Sequence, residues 1–257
     1  SILENVITRQ PDAIVIASTS SDASVPAIER AYAQGIKIIT IDNKVNTDKV
    51  NSHLATDNVV GGKLGAEMFV QMAKEHGKSV ESGKVGLISA MAGVQVLTDR
   101  DEGFITGLNE YAPGLEILET RYVDNRIPDA LTTAEDIMTS HPEELVGFFA
   151  DNNHTGAGVA RAIAERGVAD EIPVVAFDAD DTEINALQEG TIDALIVQDP
   201  FAMGYEGVHS AVRAIEGEEL PAYIDTGVTA VTSDNFDEPE IQNLLNPEER
   251  AKAVLAE

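Results

Sequence analysis

Residues 145–152 read Leu145-Val146-Gly147-Phe148-Phe149-Ala150-Asp151-Asn152. Six residues without polar alternation mark a strand buried on both faces, as strands are in a parallel sheet covered by helices. The run then ends abruptly on a carboxylate and a carboxamide. Residues 155–166 follow with helical spacing, and Gly167 closes them. Glycine suits the left-handed turn that commonly ends a helix.

The same unit recurs on both sides. Apolar runs at 13–17, 36–41, 84–89, 117–123, 173–177 and 193–197 alternate with helical patterns at 25–34, 58–76, 98–111, 128–140, 182–188 and 201–215. Run 36–41 ends at Asp42, run 173–177 at Asp178 and run 193–197 at Gln198, while the loop after 84–89 carries Arg100. In open parallel sheets, ligands bind outside the carboxyl ends of the strands. Carboxylates, carboxamides and a guanidinium collected there match a molecule rich in hydroxyls, and none is an obvious nucleophile. A sugar or polyol binder is expected before an enzyme.

So many strands suit two smaller sheets better than one. The expected fold is α/β, with two doubly wound parallel-sheet lobes and a cleft between them. Three chain crossings are expected: near 53–58, after Gln198 where Asp199-Pro200 forces an extended joint, and near 225–229. The lobes would be 1–56 with 199–226, and 57–198 with 227–257. Ser1 opens inside an amphipathic helical pattern, with Ile2, Leu3, Val6 and Ile7 against Glu4, Asn5 and Arg9. A helix feeding a parallel strand should follow another strand, so further structure is expected ahead of Ser1.

Composition narrows the partners. The 45 acidic against 17 basic residues give a formal net charge of −28, which repels a phosphate backbone, so nucleic acid is not an expected partner. Cysteine is absent, which excludes disulfides, thiolate catalysis and cysteine-ligated zinc. No apolar run approaches the roughly 20 residues of a membrane span.

Other motifs read as structure. Gly156-Ala157-Gly158 starts like a dinucleotide fingerprint, but Arg161 stands where a small residue is required, so the glycines are expected to ease helix packing. Gly61, Gly62 and Gly65 read the same way. Asp151 and His154 share a helix edge without a third metal ligand and are expected to cap the helix. The cluster Asp178, Asp180, Asp181 lacks a calcium loop. Asp180 or Asp181 is expected to cap the next helix, leaving Asp178 aimed into the cleft. Thr155, and Ser24 or Asp22, are further expected caps. Neither metal nor cofactor is expected.

The wording of the chain resembles one family throughout. Pro11-Asp12-Ala13-Ile14-Val15-Ile16, Ile38-Ile39-Thr40-Ile41-Asp42-Asn43, Ala55-Thr56-Asp57-Asn58 with Gly61-Gly62, and Val175-Ala176-Phe177-Asp178 carry the likeness. So do Gln198-Asp199-Pro200, Met203-Gly204-Tyr205-Glu206-Gly207, Ile224-Asp225-Thr226-Gly227-Val228 and Thr232-Ser233-Asp234-Asn235. They resemble the ribose-binding-protein-like periplasmic binding proteins, the substrate-capturing subunits of sugar ABC importers.

The resemblance implies a monosaccharide or polyol ligand, a membrane permease as partner, a monomer, and a periplasmic or lipid-anchored extracellular location. It also implies that the family's first strand, helix and second strand precede Ser1. Ligand positions carry over onto Asp42, Arg100, Asn152, Asp178 and Gln198, with Phe177 offering an apolar face. Hinges fall at Thr56, Asp57, Asp199, Thr226 and Gly227.

Asn43, also expected to contact the ligand, stands where ribose binders carry Arg, Ala17-Ser18 stand where they carry Asn, and no stacking aromatic occurs at 123–125. A ligand other than ribose is therefore expected. The alternative function is the effector domain of a lactose-repressor-type regulator, which shares the fold. The long tail from Ile224 to Glu257 speaks for the transport receptor.

Overall fold

Each apolar run read from the sequence pairs in parallel with a neighbour. The computed structural model describes residues 2–255; Ser1 and the last two residues of the tail lie outside the described residues. The chain forms two units, Ser1–Asp57 with Gln198–Gly227, and Asn58–Val197 with Val228–Glu257. The boundaries drawn from the sequence each lie one residue from these.

In chain order the first elements are α1 (Ile2–Ile7), β1 (Ala13–Ile16), α2 (Val25–Ala33), β2 (Lys37–Ile41) and β3 (Ser52–Ala55). Then come α3 (Asn58–Glu75), β4 (Gly83–Ser89), α4 (Gln95–Tyr111), β5 (Leu115–Ile117), β6 (Arg121–Tyr122), α5 (Ile127–Ser140) and β7 (Leu145–Ala150). They are followed by α6 (Asn153–Arg166), β8 (Val174–Phe177), α7 (Asp181–Glu189), β9 (Ala194–Gln198) and α8 (Pro200–Ile215). The chain closes with β10 (Tyr223–Asp225), β11 (Val228–Thr232), α9 (Pro239–Leu245) and α10 (Pro247–Leu255).

The first unit holds a parallel sheet in the order β1-β2-β3-β10. Successive residues of a strand point to opposite faces. Ile14 and Ile38 therefore pack with Ala27, Ile28 and Ala31 of α2, while Ile39 and Leu54 pack with Ala211 of α8. Helices on both faces keep the strands dry, which is why they carry so few polar residues.

The second unit holds the order β11-β9-β8-β7-β4-β5, with β6 also on β4. Val174, Ala176, Leu195 and Val197 face a core with α5, α6, α7 and α9; Val175, Phe177, Ala194 and Ile196 face α3 and α4. Helices α3 and α4 meet through glycine. A Cβ on Gly62 would collide with the Arg100 carbonyl, and one on Gly103 with the Val59 carbonyl. A Cβ on Gly158 would come within 2.5 Å of that of Ala130, so the glycines of α6 serve close helix packing.

Several expectations need correction. The single strand expected at 117–123 is two short pieces, β5 and β6, paired with different parts of β4. Strands β10 and β11 were not foreseen, because three residues, or five alternating with threonine, give too little apolar signal. Ser24 makes no side-chain cap; its hydroxyl meets that of Ser18 at 2.8 Å. Thr155 is not itself a cap: Asn152 caps α6, and Thr155 completes a reciprocal capping box with it. Of the two aspartates expected to cap α7, Asp180 does so, accepting from the N–H groups of Thr182 and Glu183.

Candidate functional site

In the first unit Asp42 follows the last residue of β2. Its φ is +64°, and its main-chain N–H donates to the Leu54 carbonyl of β3 at 2.9 Å. That bond extends the ladder by one residue while the left-handed backbone turns the chain away. Asn43 donates from Nδ2 to Asp42 Oδ2 at 3.1 Å, so the two half-buried side chains form one polar unit. Gln198, at the end of β9, is also half-buried. The Asp199 carboxylate caps α8 by accepting from the Ala202 N–H at 2.8 Å, which explains its place at the joint.

Asp225 links the residues expected at the first and third crossings. Its Oδ1 accepts from the N–H of Asp57 at 3.2 Å and from that of Gly227 at 2.9 Å. Thr56 Oγ1 donates to the Gly227 carbonyl at 3.1 Å, and the Thr226 N–H donates to the Ala55 carbonyl at 3.1 Å. Gly227 holds φ +81°, a region where glycine is unstrained. The sequence places Asp225 at the third crossing without revealing its bond to Asp57, which lies 168 residues away.

In the second unit Asp178 follows the last residue of β8 with φ +83°, and its N–H donates to the Ile196 carbonyl of β9 at 2.9 Å. Arg100, on α4, lies beside it, with Nη1 3.6 Å from Asp178 Oδ2. Arg100 is only 3% exposed. Its Nε donates to Asn58 Oδ1 and its Nη1 to the Asp151 carbonyl, both at 2.9 Å. The guanidinium lies 4.0 Å over the Phe177 ring, a cation–π contact. These contacts hold the planar fork in one orientation.

Two further residues expected to touch the ligand have defined partners within the second unit. Phe177 is fully buried beneath Arg100, so it offers no open face and instead supports the guanidinium. The Asn152 Oδ1 is occupied by the Thr155 N–H at 3.0 Å, and its Nδ2 donates to Asn125 Oδ1 at 2.8 Å. Its amide orientation is therefore fixed from both sides. His154 does not pair with Asp151; its Nδ1 meets the Asn125 carbonyl at 3.0 Å.

Beneath the strand ends lie three buried acids, Asp101, Asp151 and Glu183, of which only Asp151 is singled out from the sequence, as the carboxylate closing run 145–150 and as an expected cap. Asp151 accepts from the Ser89 hydroxyl at 2.6 Å and the Ala90 N–H at 2.8 Å. Burial pushes its carboxyl up to about 6 despite those bonds. Asp101 is pushed up to about 7, by burial first and then by the Asp151 charge. Glu183 is held well above the usual carboxylate range by burial, then by Asp178 and Asp180, and neither of its oxygens has a hydrogen-bond partner.

Ser89 is fully buried, so its bond to Asp151 is no exposed nucleophile–base pair. Among the described residues no group of three histidines or acids could hold a metal. Among them, too, no helix is long and apolar enough to cross a membrane. The strand ends offer what a polyhydroxylated molecule needs: carboxylate acceptors at Asp42 and Asp178, and a fixed donor fork at Arg100.

The model of the periplasmic binding protein domain matches residues 1–219. The chain belongs to the periplasmic binding protein family. A carbohydrate transporter solute-binding protein from Agrobacterium radiobacter, solved with D-arabinose, is 36% identical; the match covers 95% of this chain and 82% of that one, with a TM-score of 0.88. An ABC transporter solute-binding protein from Agrobacterium vitis with bound D-fucose is 31% identical over 95% and 82%, with a TM-score of 0.85. The ribose import binding protein RbsB of Escherichia coli is 29% identical over 220 residues, 86% of this chain and 71% of its own.

Proposed function

We propose that this periplasmic binding protein is the receptor subunit of a sugar ABC importer and that it captures a monosaccharide without transforming it. The observation that carries this reading is the Arg100–Asp178 arrangement at the end of β8. A sugar hydroxyl both donates and accepts, so Asp178 takes its proton-side bond while the guanidinium donates to a neighbouring oxygen. Bonds with one charged member are stronger than neutral ones, which offsets the cost of stripping water from the sugar. Asp42, oriented by Asn43, offers the same chemistry in the first unit.

The relatives named above favour the importer over the lactose-repressor-type alternative. The partners we assign are a monosaccharide and a membrane permease, with the receptor acting as a monomer outside the cytoplasmic membrane. The charge of −28 argues against nucleic acid. Catalysis would need an accessible acid and base, and Asp101, Asp151 and Glu183, the raised-pKa acids beneath the strand ends, are buried.

A thermal-shift panel of pentoses, hexoses, 6-deoxyhexoses, polyols and amino acids tests the reading. A ligand bound only by the folded state at about 100 times its Kd should raise Tm by roughly 5–10 °C. A shift for an amino acid and for no sugar would overturn it.

A further inference from the structure

From the sequence Asn58 is the start of a helix, the end of the first crossing and part of a family phrase, with no role in binding. In the structure it is the first residue of α3 and of the second unit, directly after the crossing at Asp57. It is 6% exposed, and its Oδ1 receives the Nε–H of Arg100 at 2.9 Å. The other restraints on the guanidinium come from the sheet, namely the Asp151 carbonyl at the end of β7 and the Phe177 ring at the end of β8. Asn58 alone among these holds it from the chain that has just crossed.

The chemistry of the acceptor matters. A carboxamide oxygen fixes the roll of the guanidinium about its axis without neutralising it. The positive charge thus stays available to Asp178, 3.6 Å away, and to a ligand oxygen. The backbone beneath is rigid as well, since Gly62 and Gly103 bring α3 and α4 into contact where no Cβ fits. The first turn of α3 therefore cannot shift without moving Arg100.

We propose that Asn58 is a positioning residue for sugar binding, setting the orientation of Arg100 from the first chain crossing through its Oδ1–Nε bond. This rests on the reading of the chain as a sugar receptor. A geometry that depends on the crossing makes the donor fork correct only when the chain leaves Asp57 in the conformation seen here.

The test pairs a double-mutant cycle with a direct reading of the bond. Sugar Kd is measured by calorimetry for the wild type, Asn58→Leu, Arg100→Lys and the double variant, using the sugar giving the largest thermal shift. Lysine keeps the charge but has no Nε donor. Asn58→Leu should weaken binding about tenfold in the wild type and less than twofold in the Arg100→Lys background. An equal loss in both, or none in either, overturns the proposal.

Asn58→Ser, which stays polar at the start of α3 but is too short to reach Arg100, replaces the leucine variant should that one fail to fold. Independently, the Arg100 Nε–H should exchange slowly with water by NMR in the wild type and at least tenfold faster in Asn58→Ser. Fast exchange in the wild type overturns the proposal even where sugar binds. Slow exchange in a protein that binds no sugar instead breaks the receptor reading, and the role of Asn58 in sugar binding with it.

Discussion

Asp42 and Asp178 occupy the same local position in two different sheets. Each follows the last residue of a strand, each holds a left-handed φ (+64° and +83°), and each donates its N–H at 2.9 Å to the next strand, to Leu54 and Ile196 respectively. A non-glycine residue in that region costs free energy and persists only where its surroundings impose it. Asparagine and aspartate tolerate it better than most. The repeated device aims a carboxylate outward from the end of a sheet, which a regular strand residue could not do.

The first prediction separates backbone from side chain at Asp178. Asp178→Ala should lose about 1–2 kcal/mol of stability relative to Asp178→Gly, because only glycine is relaxed at φ +83°. Both should weaken sugar binding by roughly 2–5 kcal/mol, the cost of losing a charged partner in a desolvated site. Thermal melts and calorimetry on the two variants check this. Equal stabilities would show that the backbone is not strained there.

Asn43 bears on the choice of sugar. Its bond to Asp42 orients that carboxylate, so Asn43→Ala should cost about 1 kcal/mol of binding. A ribose binder of this family would carry arginine here, and the shorter neutral amide leaves more room. A hexose, a polyol or another ligand bulkier than ribose should therefore outcompete ribose. Competition calorimetry decides it: ribose as the tightest ligand, with Asn43→Arg leaving that order unchanged, would sink the argument.

The pH dependence of stability follows from Asp101, which faces Asp151, Ser89 and Arg100. Its carboxyl rises from 3.8 to about 7 on folding. The folded protein thus holds a proton that the unfolded chain releases between those values. The associated stability is complete below about pH 4, is lost as pH rises toward 7 and stays level above that. At about 1.4 kcal/mol per pK unit the loss is a few kcal/mol, shared with Asp151. Tm should fall from pH 5 to pH 8 in the wild type, and visibly less in Asp101→Asn. The same fall in both would show that another group is responsible.

Gly62 tests the packing that carries Arg100. A methyl group there would meet the Arg100 carbonyl and the Phe104 N–H, both backbone and neither able to move aside. Gly62→Ala should cost about 1–3 kcal/mol in urea unfolding and should also weaken sugar binding. Unchanged stability would mean that α3 and α4 do not pack this closely.

Much of this was legible in the sequence because the determining forces are local. Apolar runs without polar alternation gave the parallel strands, and the polar residues closing them, Asp42, Asp178 and Gln198, lie at strand ends. What escaped depends on contacts distant in the chain. Arg100 and Asn58 stand 42 residues apart, and no pattern joins a helix-start asparagine to a mid-helix arginine. Phe177 is expected from the sequence to offer the ligand an apolar face. Strand alternation instead turns it inward, where Arg100 covers it. Asp225 and Asp151 depend on equally distant contacts, Asp225 on the Asp57 N–H 168 residues away and Asp151 on the Ser89 hydroxyl 62 residues away.

Isothermal titration calorimetry of the protein with the monosaccharide giving the largest thermal shift, run beside Asp178→Gly, tests the central claim most directly. The account predicts saturable binding with one sugar per chain, weakened at least thirtyfold in a variant that melts no lower than the wild type. Such a loss corresponds to the lower end of roughly 2–5 kcal/mol. Saturable binding of the same affinity in wild type and variant, or no binding of any monosaccharide by the folded protein, would contradict it.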